Sequence, residues 1–158
     1  MASTLIWNAR PTKEIVMAAD AVAPAGLRDA DDAETLIAAA DVANGTDLLT
    51  YADFLLYLHD FDAAPDAGGY FELHIIYEFD ALYGDGEDGD VAAPHLSANT
   101  LFGIFPVYAG DEDQHIQLTG VPIGPYDFRV VLVNKSGDAI ANTDGSFLYI
   151  FRYCDESQ

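Results

Sequence analysis

The sequence predicts an all-β protein, an antiparallel β-sandwich or jelly roll with an extended N-terminal arm. Three observations predict it. The apolar runs are short, and clusters of Gly, Pro, Asn and Asp separate them. The run Tyr70–Phe79 alternates with a period of two: Phe71, Leu73, Ile75, Tyr77 and Phe79 face one way, and Tyr70, Glu72, His74, Ile76 and Glu78 the other. Helix candidates are few, which leaves sheet packed on sheet as the way to bury the apolar residues. At 158 residues and 51% hydrophobic, the chain is the size of one domain with a sizeable core.

Residues 1–30 read as the arm and 31–158 as a single sandwich domain. The arm contains Pro11, Pro24 and Gly26 and two short apolar clusters, Leu5–Trp7 and Ile15–Ala19, with room for one short strand. Residues 31–43 favour helix by propensity, capped by Asp31 or Asp32 and ended by Asn44-Gly45, with a strand through Leu36–Val42 as the competing reading. Leu48–Leu58 is strand-like, 62–69 a loop, and Tyr70–Phe79 a half-buried strand. Tyr83–Ser97 is a Gly- and Asp-rich loop. Leu101–Tyr108 is a strand interrupted by Gly103 and Pro106, so it is bulged or at an edge. An acidic turn at Gly110–Asp113 leads to a strand at Gln114–Val121 with Ile116 and Leu118 inward. Pro122–Pro125 forces a bend, Phe128–Val133 is a strand, Asn134–Gly137 a turn, and Phe147–Tyr153 the last strand. Aromatics inside these runs read mainly as core.

Charge narrows the function classes. Between Arg28 and Arg129 there is no Lys or Arg, and that stretch holds 21 of the 27 acidic residues. A net charge of −21 argues against nucleic acid, whose phosphates need cations, and against anionic membranes. It fits a self-repelling soluble body or one that docks on something basic. The start of the chain does not read as a signal peptide, and no apolar run is long enough for a transmembrane helix. The single cysteine, Cys154, rules out an intrachain disulfide and cysteine-built zinc sites, and reads as an ordinary strand or tail residue.

No catalytic motif stands out. GxSxG, SxxK, GxxxxGK[ST] and HExxH are missing. The histidines (59, 74, 95 and 115) lack ligand spacing and read as polar-face residues. The pairs Glu72 with Glu78 and Asp111 with Asp113 suggest glycosidase carboxylates only as far as any acidic chain would. The loop 85–90 reads as a solvated turn, with Ca²⁺ held by Asp85, Glu87, Asp88 and Asp90 as the secondary reading. No cofactor and no metal are expected, and the chain reads as a binding or structural protein, not an enzyme. The nine tyrosines are suited to stacking on sugars, although core packing is the first reading for most.

From about Leu36 to Tyr153 the order of motifs resembles a family of small structural proteins of tailed bacteriophages. The resemblance is carried by Ala43–Thr46 (ANGT), Tyr51–Leu58 (YADFLLYL), Ala67–Leu73 (AGGYFEL) and Tyr83–Gly86 (YGDG). It continues through Leu101–Val107 (LFGIFPV), Leu118–Pro125, Tyr126–Ala139 (YDFRVVLVNKSGDA) and the closing run Ser146–Tyr153. It departs from the family in reading Pro122-Ile123-Gly124-Pro125 where a plain Pro-Pro-Gly bend is usual, and in its acidic excess. The resemblance implies a β-sandwich virion protein, foremost a capsid decoration (cement) protein on the capsid surface. Its partner would be the major capsid protein, and it would form a homo-oligomer there. Tail or fibre association is the alternative within that family, and a carbohydrate-binding adhesion module the alternative outside it. The arm carries Trp7, Arg10, Lys13 and Arg28, half of the chain's cations and its one Trp, and these are the candidate capsid-binding residues.

Overall fold

The computed structural model describes residues 5–9, 13–15, 17–18, 35–38, 40–59, 61, 63–80, 82–84, 96–110, 113–140 and 146–157, with backbone alone for those before 35 and after 153. It is all-β, with no helix among the described residues. The strands are β1 (Leu5–Ala9), β2 (Lys13–Ile15), β3 (Met17–Ala18), β4 (Thr35–Ala38), β5 (Tyr51–Leu58), β6 (Tyr70–Phe79), β7 (Leu82–Tyr83), β8 (Leu101–Pro106), β9 (Gln114–Pro122), β10 (Phe128–Lys135) and β11 (Phe147–Ser157). Two antiparallel sheets form a sandwich-like body with a strongly curled half-barrel. Sheet I runs β1-β11-β5-β9, with β2 also on β11. Sheet II runs β3-β4-β10-β6-β7, with β8 also on β6.

Alternation decides what each sheet buries. On sheet I, Ala52, Phe54, Leu56 and Leu58 of β5 and Leu148 and Ile150 of β11 point inward. They meet Phe71, Leu73 and Ile75 of β6 and Phe128, Val130 and Leu132 of β10 from sheet II. Each of these Phe, Leu, Ile and Val side chains contributes about 1.5–3 kcal/mol by leaving water. Ile116 is buried and Leu118 packs against the core, as the sequence predicts.

Sheet II departs from the expected polar outer face. His74 and Ile76 of β6, and Val131 and Val133 of β10, lie on the face away from the core and are buried as well. His74 is therefore not the polar-face histidine that the sequence suggests. Its ring lies 3.0 Å from Thr100 Oγ1 and 3.5 Å from Glu72 Oε2. Sheets buried on both faces lose the polar alternation.

Residues 35–38 form a strand where helix was the first expectation. Val131, Leu132 and Val133 of β10 pair with Ile37, Leu36 and Thr35. A ladder to a central strand outweighs the small helix preference of an alanine-rich segment.

The N-terminal strands pair with the body. Leu5–Ala9 and Lys13–Ile15 both line β11, with the register offset by one residue between them, and Pro11 falls in that interval. Proline has no N–H to give a ladder. β3 then pairs with β4 of sheet II, so the chain changes sheets within one residue after Ile15.

β8 meets the expectation of a bulged edge strand. It pairs only with β6 among the described strands, with a register shift at Leu73/His74. A Cβ on its Gly103 would overlap Leu118 Cδ1 of β9, so a bare backbone lets the two sheets approach on this side.

The link from sheet II to sheet I, residues 40–50, is tied down three times. Arg129 holds Asp41 at 2.6 Å and the Ala38 carbonyl at 3.1 Å. Asp127 Oδ1 accepts the N–H groups of both Asn44 and Gly45 at 2.6 Å. Arg152 donates to the Ala43 carbonyl, Asn44 Oδ1 and Asp47 Oδ2. Buried Asn44 donates onward to the carbonyls of Leu49 and Gly124. Asp127→Ala is expected to cost about 1–3 kcal/mol by orphaning two N–H groups, measured as a lower urea midpoint with unchanged slope. An unchanged midpoint would show that water replaces the carboxylate without loss.

Candidate functional site

Two exposed aromatic surfaces are the candidate sites. The first is the outer face of sheet I. Because β5 and β11 send alternate residues inward, the intervening ones must face out. Register then sets Tyr57 opposite Phe147, Leu55 opposite Tyr149, Asp53 opposite Phe151 and Tyr51 opposite Tyr153. Directly opposed residues share a face, and all eight are partly or largely exposed. These aromatics are thus an external ladder, which corrects the reading of strand tyrosines as mainly core.

The rings form two groups. Tyr57 packs on His115 at 4.4 Å and on Phe147 at 4.8 Å between centroids, and Phe147 meets Tyr149 at 4.5 Å. Tyr153 packs on Tyr51 at 5.9 Å and on Phe151 at 5.8 Å. Between the groups lies an open groove lined by Asp53, Phe54, Leu55, Gln117, Tyr149 and Phe151.

Polar groups hold this face in shape. The Tyr57 hydroxyl donates to Asp113 Oδ2 at 2.7 Å, and His59 Nδ1 lies 2.9 Å from Asp113 Oδ1. The hydrogen bonds from Tyr57 and then His59 hold the Asp113 carboxyl below its ordinary value. The same bond to Asp113 raises the Tyr57 phenol, which stays protonated as a donor. Asp113→Ala is expected to bring the Tyr57 phenol back down toward its ordinary value near 10, read by NMR titration. A Tyr57 titration that does not move would break the assigned bond.

At the other end of the groove β9 bulges. Ala52 pairs with Val121 but Phe54 with Leu118, which leaves Thr119 and Gly120 against Asp53 alone. Gly120 takes φ of +65°, and its N–H donates to Asp53 Oδ1 at 2.8 Å. A glycine in the left-handed region is what such a bulge needs. Tyr153 also donates its hydroxyl to Asp53 Oδ1, at 3.1 Å.

The second surface lies at one end of the sandwich. The inward row of β6 runs past the core, so Tyr77 is half-buried while Phe79 is exposed. Phe79 packs at a tilt on Tyr126, 4.7 Å between centroids, and Tyr77 meets Phe102, Tyr126 and Phe128 at 6.0 to 6.3 Å. Leu82 stands opposite Phe79 across the β6–β7 hairpin. Phe79, Leu82 and Tyr126 are 48%, 63% and 46% exposed. The Tyr77 hydroxyl accepts the Gly124 N–H at 2.7 Å and so fixes the bend that carries Tyr126.

Of the residues singled out from sequence, Trp7 is in β1 opposite Asp155, and Lys13 is in β2 opposite Ile150. Cys154 is in β11 opposite Asn8. Arg10, Arg28, His95 and the acidic group Asp85, Glu87, Asp88 and Asp90 lie outside the described residues. Among the described residues no cluster of three or more His, Cys, Asp or Glu is placed to hold a metal ion. His59 and His115 come together around Tyr57 on sheet I, away from His74.

No protein-family model, no curated protein and no solved structure matches the chain significantly.

Proposed function

We propose that the protein is a non-enzymatic structural protein of a tailed-phage virion, foremost a capsid decoration protein that binds the outer capsid surface and stabilises subunit joints. The observation that carries this reading is the end cluster of Phe79, Leu82 and Tyr126. Its apolar side chains stay in water although a core lies directly beneath them. Contiguous exposed rings of this kind mark protein docking sites, and aromatics dominate the energetics of such contacts. The motif order from Leu36 to Tyr153 supports the virion assignment. The major capsid protein is the proposed partner, and a homo-oligomer on the capsid the proposed state. Many copies multiply a modest contact into large shell stability. An acidic exterior would keep particles apart.

Trp7, Arg10, Lys13 and Arg28 are proposed to supply the rest of the capsid contact. Deleting residues 1–28 would strip edge strands from both sheets, so substitution of these four is the cleaner test. Immunogold labelling of purified parent particles tests the assignment. Label over the heads is expected, label confined to tails would move the role to a tail component, and unlabelled particles would overturn it. The double variant Phe79→Ser/Tyr126→Ser is expected to weaken binding to purified capsids at least tenfold while remaining folded. Undiminished binding would remove the end cluster from the interface.

A further inference from the structure

The outer face of sheet I carries chemistry that capsid docking by the end cluster does not use. We infer that the groove between its two ring groups is a binding site for a neutral oligosaccharide. This inference does not rest on the virion reading.

A pyranose has apolar C–H faces and a rim of hydroxyls. It therefore needs ring faces and hydrogen-bonding groups side by side. Aromatic faces carry negative charge density that attracts C–H groups. Tyr149 and Phe151 stand two residues apart on β11, and Leu55 faces Tyr149 across the ladder. Asp53 and Gln117 enter the same groove from β5 and β9, bringing a carboxylate and an amide to the hydroxyl rim. A few placed polar groups amid apolar lining are the general mark of a small-ligand site.

The scaffold is preorganised. Asp53 is held by the Gly120 N–H and the Tyr153 hydroxyl through one oxygen, Oδ1. The ladders β11–β5 and β5–β9 fix the spacing of all the lining residues. Rigid strands lose little entropy on binding.

Charge selects the occupant. The outward residues of β5, β9 and β11 among the described ones (51, 53, 55, 57, 115, 117, 119, 147, 149, 151 and 153) include one acid, Asp53, and no Lys or Arg. With a net charge of −21, sialylated or sulfated glycans and nucleic acid are repelled. A protein partner would bury Asp53 and Gln117 with no cation among the described outward side chains of these three strands to pair with the carboxylate, whereas sugar hydroxyls satisfy both.

The test is a glycan array probed with the labelled full-length chain, followed by ¹H–¹⁵N NMR titration with the hexasaccharide that binds best. Binding to neutral glycans is expected, with shifts at the Gln117 side-chain amide. Tyr149→Ala and Phe151→Ala should each weaken binding at least tenfold. Gln117→Ala, at an exposed position, should weaken it several-fold with an unchanged fold, and so keeps the test decisive if a ring variant unfolds. Silence on the array, binding to anionic glycans alone, or full binding by all three variants would overturn the inference. Self-association in ultracentrifugation that Gln117→Ala or Tyr149→Ala abolishes, with a silent array, would assign the face to a second copy instead. None of these outcomes bears on immunogold labelling of the particles.

Discussion

Gly69→Val is expected to lower stability by about 3 kcal/mol, while Gly68→Ala beside it costs about 1–2 kcal/mol. The two glycines are needed for different reasons. Gly68 has φ of +87° with open space around it, so a side chain there meets only backbone strain. A Cβ on Gly69 would lie 2.5 to 2.9 Å from the backbone O, Cα and C atoms of Ser136. Ser136 cannot yield. Its N–H and hydroxyl both donate to Asn134 Oδ1, at 2.9 and 2.6 Å, and its carbonyl accepts the Asp66 N–H at 2.8 Å. Gly69 is itself tied, donating to the Asp66 carbonyl and accepting from the Val107 N–H. The turn before β6, the turn after β10 and the end of β8 all meet there. Thermal unfolding should show a drop of roughly 10 °C for Gly69→Val. A drop no larger than that of Gly68→Ala would mean that the crossing relaxes freely.

Arg129→Ala is expected to cost about 2–4 kcal/mol, because it leaves a partly buried carboxylate without its cation. The guanidinium spans three partners: Asp41, the Ala38 carbonyl and the Tyr83 hydroxyl, and Tyr83 donates in turn to Asp41 Oδ2 at 2.9 Å. Lysine cannot reproduce the fork, so Arg129→Lys should recover less than half of the loss. Burial pushes the Asp41 carboxyl up, but the hydrogen bonds from Arg129 and Tyr83 and the Arg129 charge outweigh it and leave the value lowered. A depressed folded value gives stability that is full above the unfolded value, about 3.9, and is lost as pH falls through the folded one. The gap between wild type and Arg129→Ala should therefore narrow below about pH 4. A gap that is constant from pH 7 to pH 3 would assign the cost to lost packing of the side chain rather than to the ion pair.

Arg129 also shows how a chain with so few cations places them. It and Arg152 brace opposite ends of the link between the sheets, at Asp41 and at Asp47. Each neutralises an acid where the chain has to turn against the body.

Much of the fold is legible in the residues. Tyr70–Phe79 is a single strand with Phe71, Leu73 and Ile75 inward as its period predicts, Gly103 and Pro106 mark a bulged edge, and Pro122–Pro125 and Gly137 mark where strands end. Residues 35–38 were less so, since Thr-Leu-Ile-Ala suits helix or strand and only the partner strand β10 decides. The candidate sites were harder still. In Phe147–Tyr153 one parity is Phe147, Tyr149, Phe151 and Tyr153 and the other is Leu148, Ile150 and Arg152, so the aromatic parity looks like the core face and the one with the charge is the one that is buried. Asp53 was the available signal: a carboxylate in YADFLLYL marks the parity of Tyr51, Leu55 and Tyr57 as outward.

The all-β class, the strand ends at Gly and Pro and the acidic excess are written in the residues, because local backbone preference and net charge are properties of the chain alone. Strand pairing sets Tyr149 and Phe151 beside Asp53 and Gln117. It also brings Phe79 and Tyr126 together at an end and buries His74. Those outcomes depend on register between strands far apart in the chain, and a shift of one residue would turn every side chain to the other face.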